Sequence, residues 1–533
     1  MRAESTTTAR RLIAPSWNAC RTLVLACFAL APFAATAQTA DPGLGLVGLP
    51  YANDVERAAA QANQRVFDAL DASCNPGGIF DTVPEPSAPP VGSSCTDEGR
   101  FLVYLNSREL VHTANEIRGS GATIASLGQN VEGLGRALRW TAAEELAVQG
   151  SMATEFSNGQ LSNLAARLSA LRFGARGFGV ANLYRVDPRR DRLLASADGQ
   201  DAAAAGSGEP ARETYSPWGG FLNGAFGYGS KEPTPLEDAF DFDGSELTLG
   251  VDYRLPSNVV FGGILGLSDQ AIDFDETASD VSVVDGNIDA EGTSAILFAL
   301  FQGERLSVSG SIGAQSLRYD VVRNIKYPSF NPELESANSI ANSHPETDVR
   351  VSTFNLGYAF GSRKFTVEPF VNAEYLDATV DAFDEERSIN LLSNDGVSKR
   401  FDLSISEQKF DSLDTAFGLR LQYVVTPRFG VIVPYLTLEA HRELADDART
   451  ITAGYAAVAD VLGTSTFVVP TDAPDERYTV AGAGFSIVLR GGRQREAGGA
   501  IVGGLSAFLQ IKTIQDLLHY DDNVTTGGFR YEF

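Results

Sequence analysis

"SELTLGVDYRL", residues 245–255, puts Leu247, Leu249, Val251 and Tyr253 on one face and Thr248, Gly250 and Asp252 on the other. A period of two is the signature of a β-strand, not of a helix. One face is oily along its whole length, while the other is too polar and too rich in glycine to line a sandwich core. "PWGGFLNGAFGYG" (217–229) repeats the pattern, with Trp218, Leu222, Phe226 and Tyr228 together.

Working outward, this period gives candidate strands near 217–229, 245–254, 258–275, 287–302, 304–323, 347–361, 363–381, 407–425, 427–442, 476–490, 498–514 and 523–533. That is twelve, an even number. Most connections alternate between short ("PSN", "GE", "SR", "TP") and long (230–244, 276–286, 324–346, 382–406, 443–475), and only "GGRQREAG" is longer than a tight turn should be. Tight turns on one side and long loops on the other are the asymmetry of outer-membrane barrels. Hydrocarbon offers no water to a sheet edge, so strands with apolar outer faces must close on themselves. Each segment also exceeds the ~9 to 11 residues that a tilted strand needs to cross a bilayer.

The chain has 533 residues, 44% apolar and 9% aromatic, with 52 Gly, two Met and a formal charge of −26. It is too apolar for a disordered chain and too acidic for a nucleic-acid binder. Residues 1–37 have the form of an export signal: basic residues to Arg21, the apolar run "TLVLACFALAPFAATA", and small residues before Gln38. Cys20 and Cys27 would leave with it. Cys74 and Cys95 then remain, most simply as one disulfide closing "CNPGGIFDTVPEPSAPPVGSSC".

Residues 38–126 are expected to form a short α-helical segment; a helical period runs from about 52 to 172, with Val55, Ala59, Ala62, Val66 and Leu70 before Cys74 and Phe101, Leu105, Leu110 and Ala114 after Cys95. "GSGATIASLGQN" (119–130) is expected to be a flexible connector. In a second helical region, 127–180, Leu161, Leu164, Leu168 and Leu171 form a narrow stripe, suited to a helix lying against one wall or packed in a small domain. Residues 181–215 are a polar linker, and the β region runs from 216 to 533.

"PWGGFLNGAFGYGS", "VEPFVNAEYLDATVDAFDEE", "SLDTAFGLRLQYVVTPRFGVIVPYLTLEAHREL", "GAGFSIVLRGG" and the closing "GGFRYEF" occur in this order, and over about 215–533 they resemble the autotransporter β-domain family. The resemblance implies an all-β transmembrane barrel of about twelve antiparallel strands, preceded by a small α-helical N-terminal region with a lumen-threading helix. "GQLSNLAARLSALRFGARG" (159–177) resembles that helix. The implied partners are outer-membrane lipid, the general secretion machinery, periplasmic chaperones and the barrel assembly machinery, the last reading a terminal signal formed here by Phe529, Tyr531 and Phe533. Arg167 and Arg172 are candidate lumen charges, with Asp252 and Glu374 as their acids; solvated helix charges are the plainer reading. The exported segment is short, helical and non-repetitive, unlike the long β-helical passengers common in the family. The Asn-Asn pair at which some members cut themselves is missing, so the segment is expected to stay attached.

Catalytic motifs are sparse. "GLGLVG" (43–48) fits a nucleotide-binding spacing but has no strand ahead of it. His112, His344, His441 and His519 are scattered, and a hydrolase in the helical segment would have only His112 as its base. The acidic runs near 235–244, 272–280, 381–386 and 444–450 are expected to be solvated loop charge, and "DFDG" lacks the bidentate acid of a calcium loop. The sequence therefore implies a non-enzymatic display barrel with no cofactor. Its surface ligand is undefined, and an adhesin or pore acting through the outer loops is the alternative.

Overall fold

The computed structural model describes residues 45–91, 95–142, 144–172, 217–274, 285–362, 364–392, 399–427, 430–445, 448–489 and 505–532. The expected export signal and the polar linker lie outside the described residues. Twelve long strands follow one another: β1 (Trp218–Lys231), β2 (Phe240–Arg254), β3 (Val259–Phe274), β4 (Gly286–Gln302), β5 (Leu306–Tyr327), β6 (Glu346–Tyr358), β7 (Phe365–Val380), β8 (Gln408–Tyr423), β9 (Gly430–Glu443), β10 (Arg477–Leu489), β11 (Leu505–Gln515) and β12 (Tyr520–Glu532). Each pairs antiparallel with its sequence neighbours, β5 to β6 and β6 to β7 included. β1 pairs with β12 from Gly219↔Glu532 to Lys231↔Tyr520, and this closes the barrel.

The strands outrun the membrane. On the outer face of β4, Ala295, Leu297, Ala299 and Phe301 give way to Thr293, Glu291 and Asp289 toward the long-loop end. β2 changes likewise, from Tyr253, Val251, Leu249 and Leu247 to Ser245, Asp243 and Asp241. An apolar band of about 25 Å is what a bilayer requires, and the polar outer residues above it stand in water. Aromatic side chains rim the short-turn end: Trp218 lies 4.8 Å from Tyr253, which lies 5.5 Å from Phe261, and Tyr358 lies 4.8 Å from Phe360.

The inner face inverts in the opposite sense. Within the band it carries Ser307, Ser309, Ser311 and Gln315 on β5, whereas above it the same strand turns Leu317, Tyr319, Val321 and Ile325 inward. The upper barrel is therefore built like a water-soluble protein, dry inside and polar outside.

What fills that upper interior is the helical N-terminal region. α1 (Asp54–Cys74) begins at Asn53, whose side chain accepts from the Glu56 N–H, and Cys74 is bonded to Cys95. α2 (Glu98–Arg118) starts under the Asp97 carboxylate and ends at Gly119, whose φ of 69° is the left-handed cap that glycine adopts without strain. Every residue from Phe101 to Asn115 is buried, so α2 is covered on all sides. α3 (Val131–Ala142) and a short 3-10 turn, Glu144–Ala147, lead to α4 (Val148–Arg172). The connector 119–130 is not a free tether, since Ala125 and Leu127 are fully buried.

The long loops complete this cap. Short strands at 383–384, 403–405, 450–455 and 467–470 form a second, four-stranded sheet, and strand Ala337–Ser343 extends the edge of β5. Tyr455 donates from its hydroxyl to Asn63 of α1 at 2.9 Å, and Asn106 of α2 donates to the Arg400 carbonyl at 2.7 Å. Helices, loop sheet and upper strands share one hydrophobic cluster. Of the acidic runs, Asp241, Asp243, Asp381, Asp384 and Glu386 are exposed as expected, whereas Asp238 and Glu385 are not. Asp238 is buried against Arg139 at 2.7 Å, and Glu385 is buried against Arg323 at 2.6 Å. Lys399 is buried against Glu109 at 2.5 Å. Burial of such acids is tolerated because each is ion-paired.

Candidate functional site

α4 runs inside the barrel. With 25 residues it is about 37 Å long, enough to traverse the band, yet no helix among the described residues is long and apolar enough to cross a membrane. It crosses within protein instead. Its upper end is held by Arg449, which donates to the Ala147 carbonyl at 3.3 Å, and by the Tyr319 hydroxyl, which donates to the Gln149 carbonyl at 3.2 Å.

Midway, the Gln160 Oε1 accepts from Thr248 of β2 and Ser294 of β4, both at 3.2 Å, and Ser157 donates to Gln315 of β5 at 2.7 Å. Gly266 of β3 makes this approach possible, because a Cβ there would lie 2.1 Å from the Gln160 Oε1. Leu161, Leu164, Leu168 and Leu171 are all buried and belong to the same cluster as Phe221, Ile264 and Phe298 of the wall.

The lower end is ionic. Arg167 donates to the Asp252 Oδ2 at 2.6 Å, and its guanidinium lies 4.8 Å from the Phe221 ring centroid. Arg530 of β12 donates to the Asp252 Oδ1 at 3.0 Å. β1 lies between these two strands, and Arg530 spans it over Gly219, where a Cβ would come within 2.2 Å of the guanidinium. Sequence reasoning named Arg167 and Asp252 but missed Arg530, hidden between the aromatic residues of the terminal strand.

Glu374 is not beside Arg167. It lies on β7 directly opposite Asp414 of β8, higher in the lumen, where His441 meets Asp414 at 2.7 Å and stacks on Tyr478 at 4.6 Å. Arg172 ends α4, and its side chain is outside the described residues. Phe529 points outward and is 63% exposed, next to Leu222 in register; Tyr531 pairs with Gly220, and Phe533 is outside the described residues. His112 is buried in the cap, its Nδ1 accepting from the Ala125 N–H at 3.1 Å and its ring edge-on to Phe67. Burial pulls its pKa down to about 4. An imidazole enclosed in this way is a packing element of the cap and no general base for an exposed substrate.

These features define a class: a closed twelve-stranded outer-membrane barrel whose bore is occupied by a helix from its own N-terminal region. Residues 220–493, just over half of the chain, match the family described as Autotransporter beta-domain, and the chain belongs to that family. Among solved structures it is similar to the translocator domain of the autotransporter NalP from Neisseria meningitidis, at 16% identity over 65% of this chain and 95% of that one, TM-score 0.40. It is similar also to the β domain of the Bordetella autotransporter BrkA, at 14% identity over 59% and 99%, TM-score 0.37. A third is the transport unit of AIDA-I from Escherichia coli, at 12% identity over 65% and 97%, TM-score 0.36. None of the curated proteins compared with this sequence matches it. The barrel is an outer-membrane protein, and its work is structural and translocative.

Proposed function

We propose that this autotransporter barrel carries residues 45–147 to the cell surface and keeps them there as a permanent cap, with α4 left in the bore as the tether. The observation that carries this reading is the course of the chain. α3 lies at the long-loop end, α4 descends the lumen, and Arg167 sits beside Phe221, close to where β1 begins at the short-turn end. Long loops face outward in barrels of this kind, so a segment packed among them is displayed. The shared core and the Cys74–Cys95 bond explain why such a segment remains: releasing it would expose the dry interior of the upper strands. The assembly machinery, secretion machinery and chaperones of the family are its expected partners, with Phe529, Tyr531 and Phe533 as the signal read at assembly.

The test is surface labelling. Ser87→Cys, in the exposed part of the disulfide loop, should react with a membrane-impermeant maleimide on intact cells. Ser257→Cys, in the turn between β2 and β3, should react only after the outer membrane is permeabilised. Reaction of position 87 only after permeabilisation would place the cap in the periplasm and defeat the proposal. A second reading, adhesion through the loops, is favoured by one feature: Ile389, Leu391 and Leu392 stand at least half exposed beside strand Ala337–Ser343.

A further inference from the structure

Beside the upper half of α4 the lumen is not full. A cavity of about 990 Å³ lies between Ser151, Thr154 and Asn158 of the helix and the facing walls of the barrel. That volume is at the upper end of the range for small-molecule sites. We propose that it is a binding site for an organic cation, an amine carried on an apolar body.

Its unanswered charge is negative. Asp522 of β12 lines the cavity, is 5% exposed, and its Oδ1 has no hydrogen-bond partner. A buried carboxylate oxygen left in that state is costly unless a donor reaches it. Across the lumen, Glu374 and Asp414 also line the cavity and stand directly opposite each other in the β7–β8 register. Like charges so placed destabilise a sheet pair. His441 meets Asp414 at 2.7 Å and Glu439 at 3.4 Å, and Glu374 stands opposite Asp414, so one imidazole serves three acids. Arg449 also borders the space, but it is committed to the Ala147 carbonyl and to the Phe410 ring, whose centroid is 4.7 Å away.

The rest of the lining supplies the other half of the recognition. Phe242, Phe410, Tyr478 and Tyr520 present aromatic surface to the cavity. Two such rings already accept the protein's own cations: Lys231 lies 5.7 Å from the Tyr520 centroid, and Arg449 lies 4.7 Å from that of Phe410. Aromatic faces next to an unpartnered carboxylate oxygen, that of Asp522, select an ammonium or amidinium group with an apolar body. A metal ion fits less well, because among the described residues no three His, Cys, Asp or Glu side chains converge as ligands.

The experiment uses the full mature chain folded in detergent and titrated calorimetrically with 2-phenylethylamine, with phenylacetate and calcium chloride as parallel arms. The amine should bind and phenylacetate should not. Asp522→Asn and Glu374→Gln should each weaken amine binding by about tenfold, the expected loss for a charged hydrogen-bond partner. Phe242→Leu should weaken it without any change of charge. Gel mobility before and after heating certifies that each variant is a closed barrel. Absence of amine binding overturns the proposal. So does equal binding by both carboxylate variants in closed barrels, or binding of calcium in place of the amine. The measurement is made on purified protein, so it stands or falls independently of where the cap resides.

Discussion

Arg530 reaches Asp252 across the intervening strand at 3.0 Å, and Arg167 meets the same carboxylate from the helix at 2.6 Å. One acid on β2 therefore joins the last strand, the second strand and the lumen helix. Asp252→Asn would remove the carboxylate that Arg167 and Arg530 share, and breaking a buried pair in this way typically costs about 3 to 5 kcal/mol. The heating temperature at which the compact barrel band converts to the unfolded band should drop clearly. Arg167→Leu, which spares the Arg530 pair, should lower it less.

Residence of α4 in the bore is open to direct capture. Asn223 of β1 donates to the Asn163 carbonyl at 3.3 Å. Cysteines at both positions should be joined by a short bis-maleimide in cells, giving a species of altered mobility. Cysteines at 163 and 312 should not, since Ile312 points to lipid.

Loss of the Cys74–Cys95 bond should loosen the cap alone. The bond closes a loop with a sequence separation of 21, and a constraint of this length stabilises by about 3 kcal/mol. In the double alanine variant, protease should cut within residues 75–100 faster, with the barrel's heat-dependent mobility unchanged. Arg108, which donates to the carbonyls of Phe80, Val83 and Pro84 at 2.7 to 2.9 Å, is the second fastening of this loop. Arg108→Met should have a similar effect.

The cap should also respond to pH. Burial pushes the Glu145 carboxyl up from 4.5 to about 8, opposed by the Arg323 charge. A folded value above the unfolded one means that the folded cap keeps a proton the unfolded chain releases. Stability is then full below 4.5 and falls as pH rises toward 8. His112 acts in the other direction, its folded value of about 4 lying below 6.5, so its contribution is lost as pH falls through that interval. Between pH 6.5 and 8 His112 no longer contributes to the change, and Glu145 acts in the same direction as its buried neighbour Glu144, whose carboxyl burial also raises. Protection factors of the α1 and α2 amides, which remove the intrinsic base-catalysed rise in exchange, should fall across that window in the parent, and Glu145→Gln should reduce the fall.

Much of the barrel was legible because lipid imposes a period of two on every crossing strand, and Leu247, Leu249 and Val251 display it openly. All twelve strands were found in this way. The reversal of polarity above the membrane was harder to see: Leu317, Tyr319 and Val321 keep the same period on the other face, so alternation alone does not report which side is wet. The short loop strands at 383–384 and 403–405 have too few residues to show any period. Pairs such as Arg323 with Glu385 join residues far apart in sequence, and their acids read like any surface charge. Arg167 and Asp252 could be nominated together from the helix resemblance and the inward face of β2. The height of Glu374 in the bore, and hence its distance from Arg167, depends on register and tilt, which no local pattern encodes.

Gly219 carries one more implication, about timing. Asp252 is contributed early by the first hairpin, Arg530 arrives only with the final strand, and Arg167 comes from chain that precedes both. A cylinder shut around an empty bore would leave the acid with only one of its two cations. Sealing the wall and seating the tether are thus coupled in energy, because each step supplies one cation to the same acid.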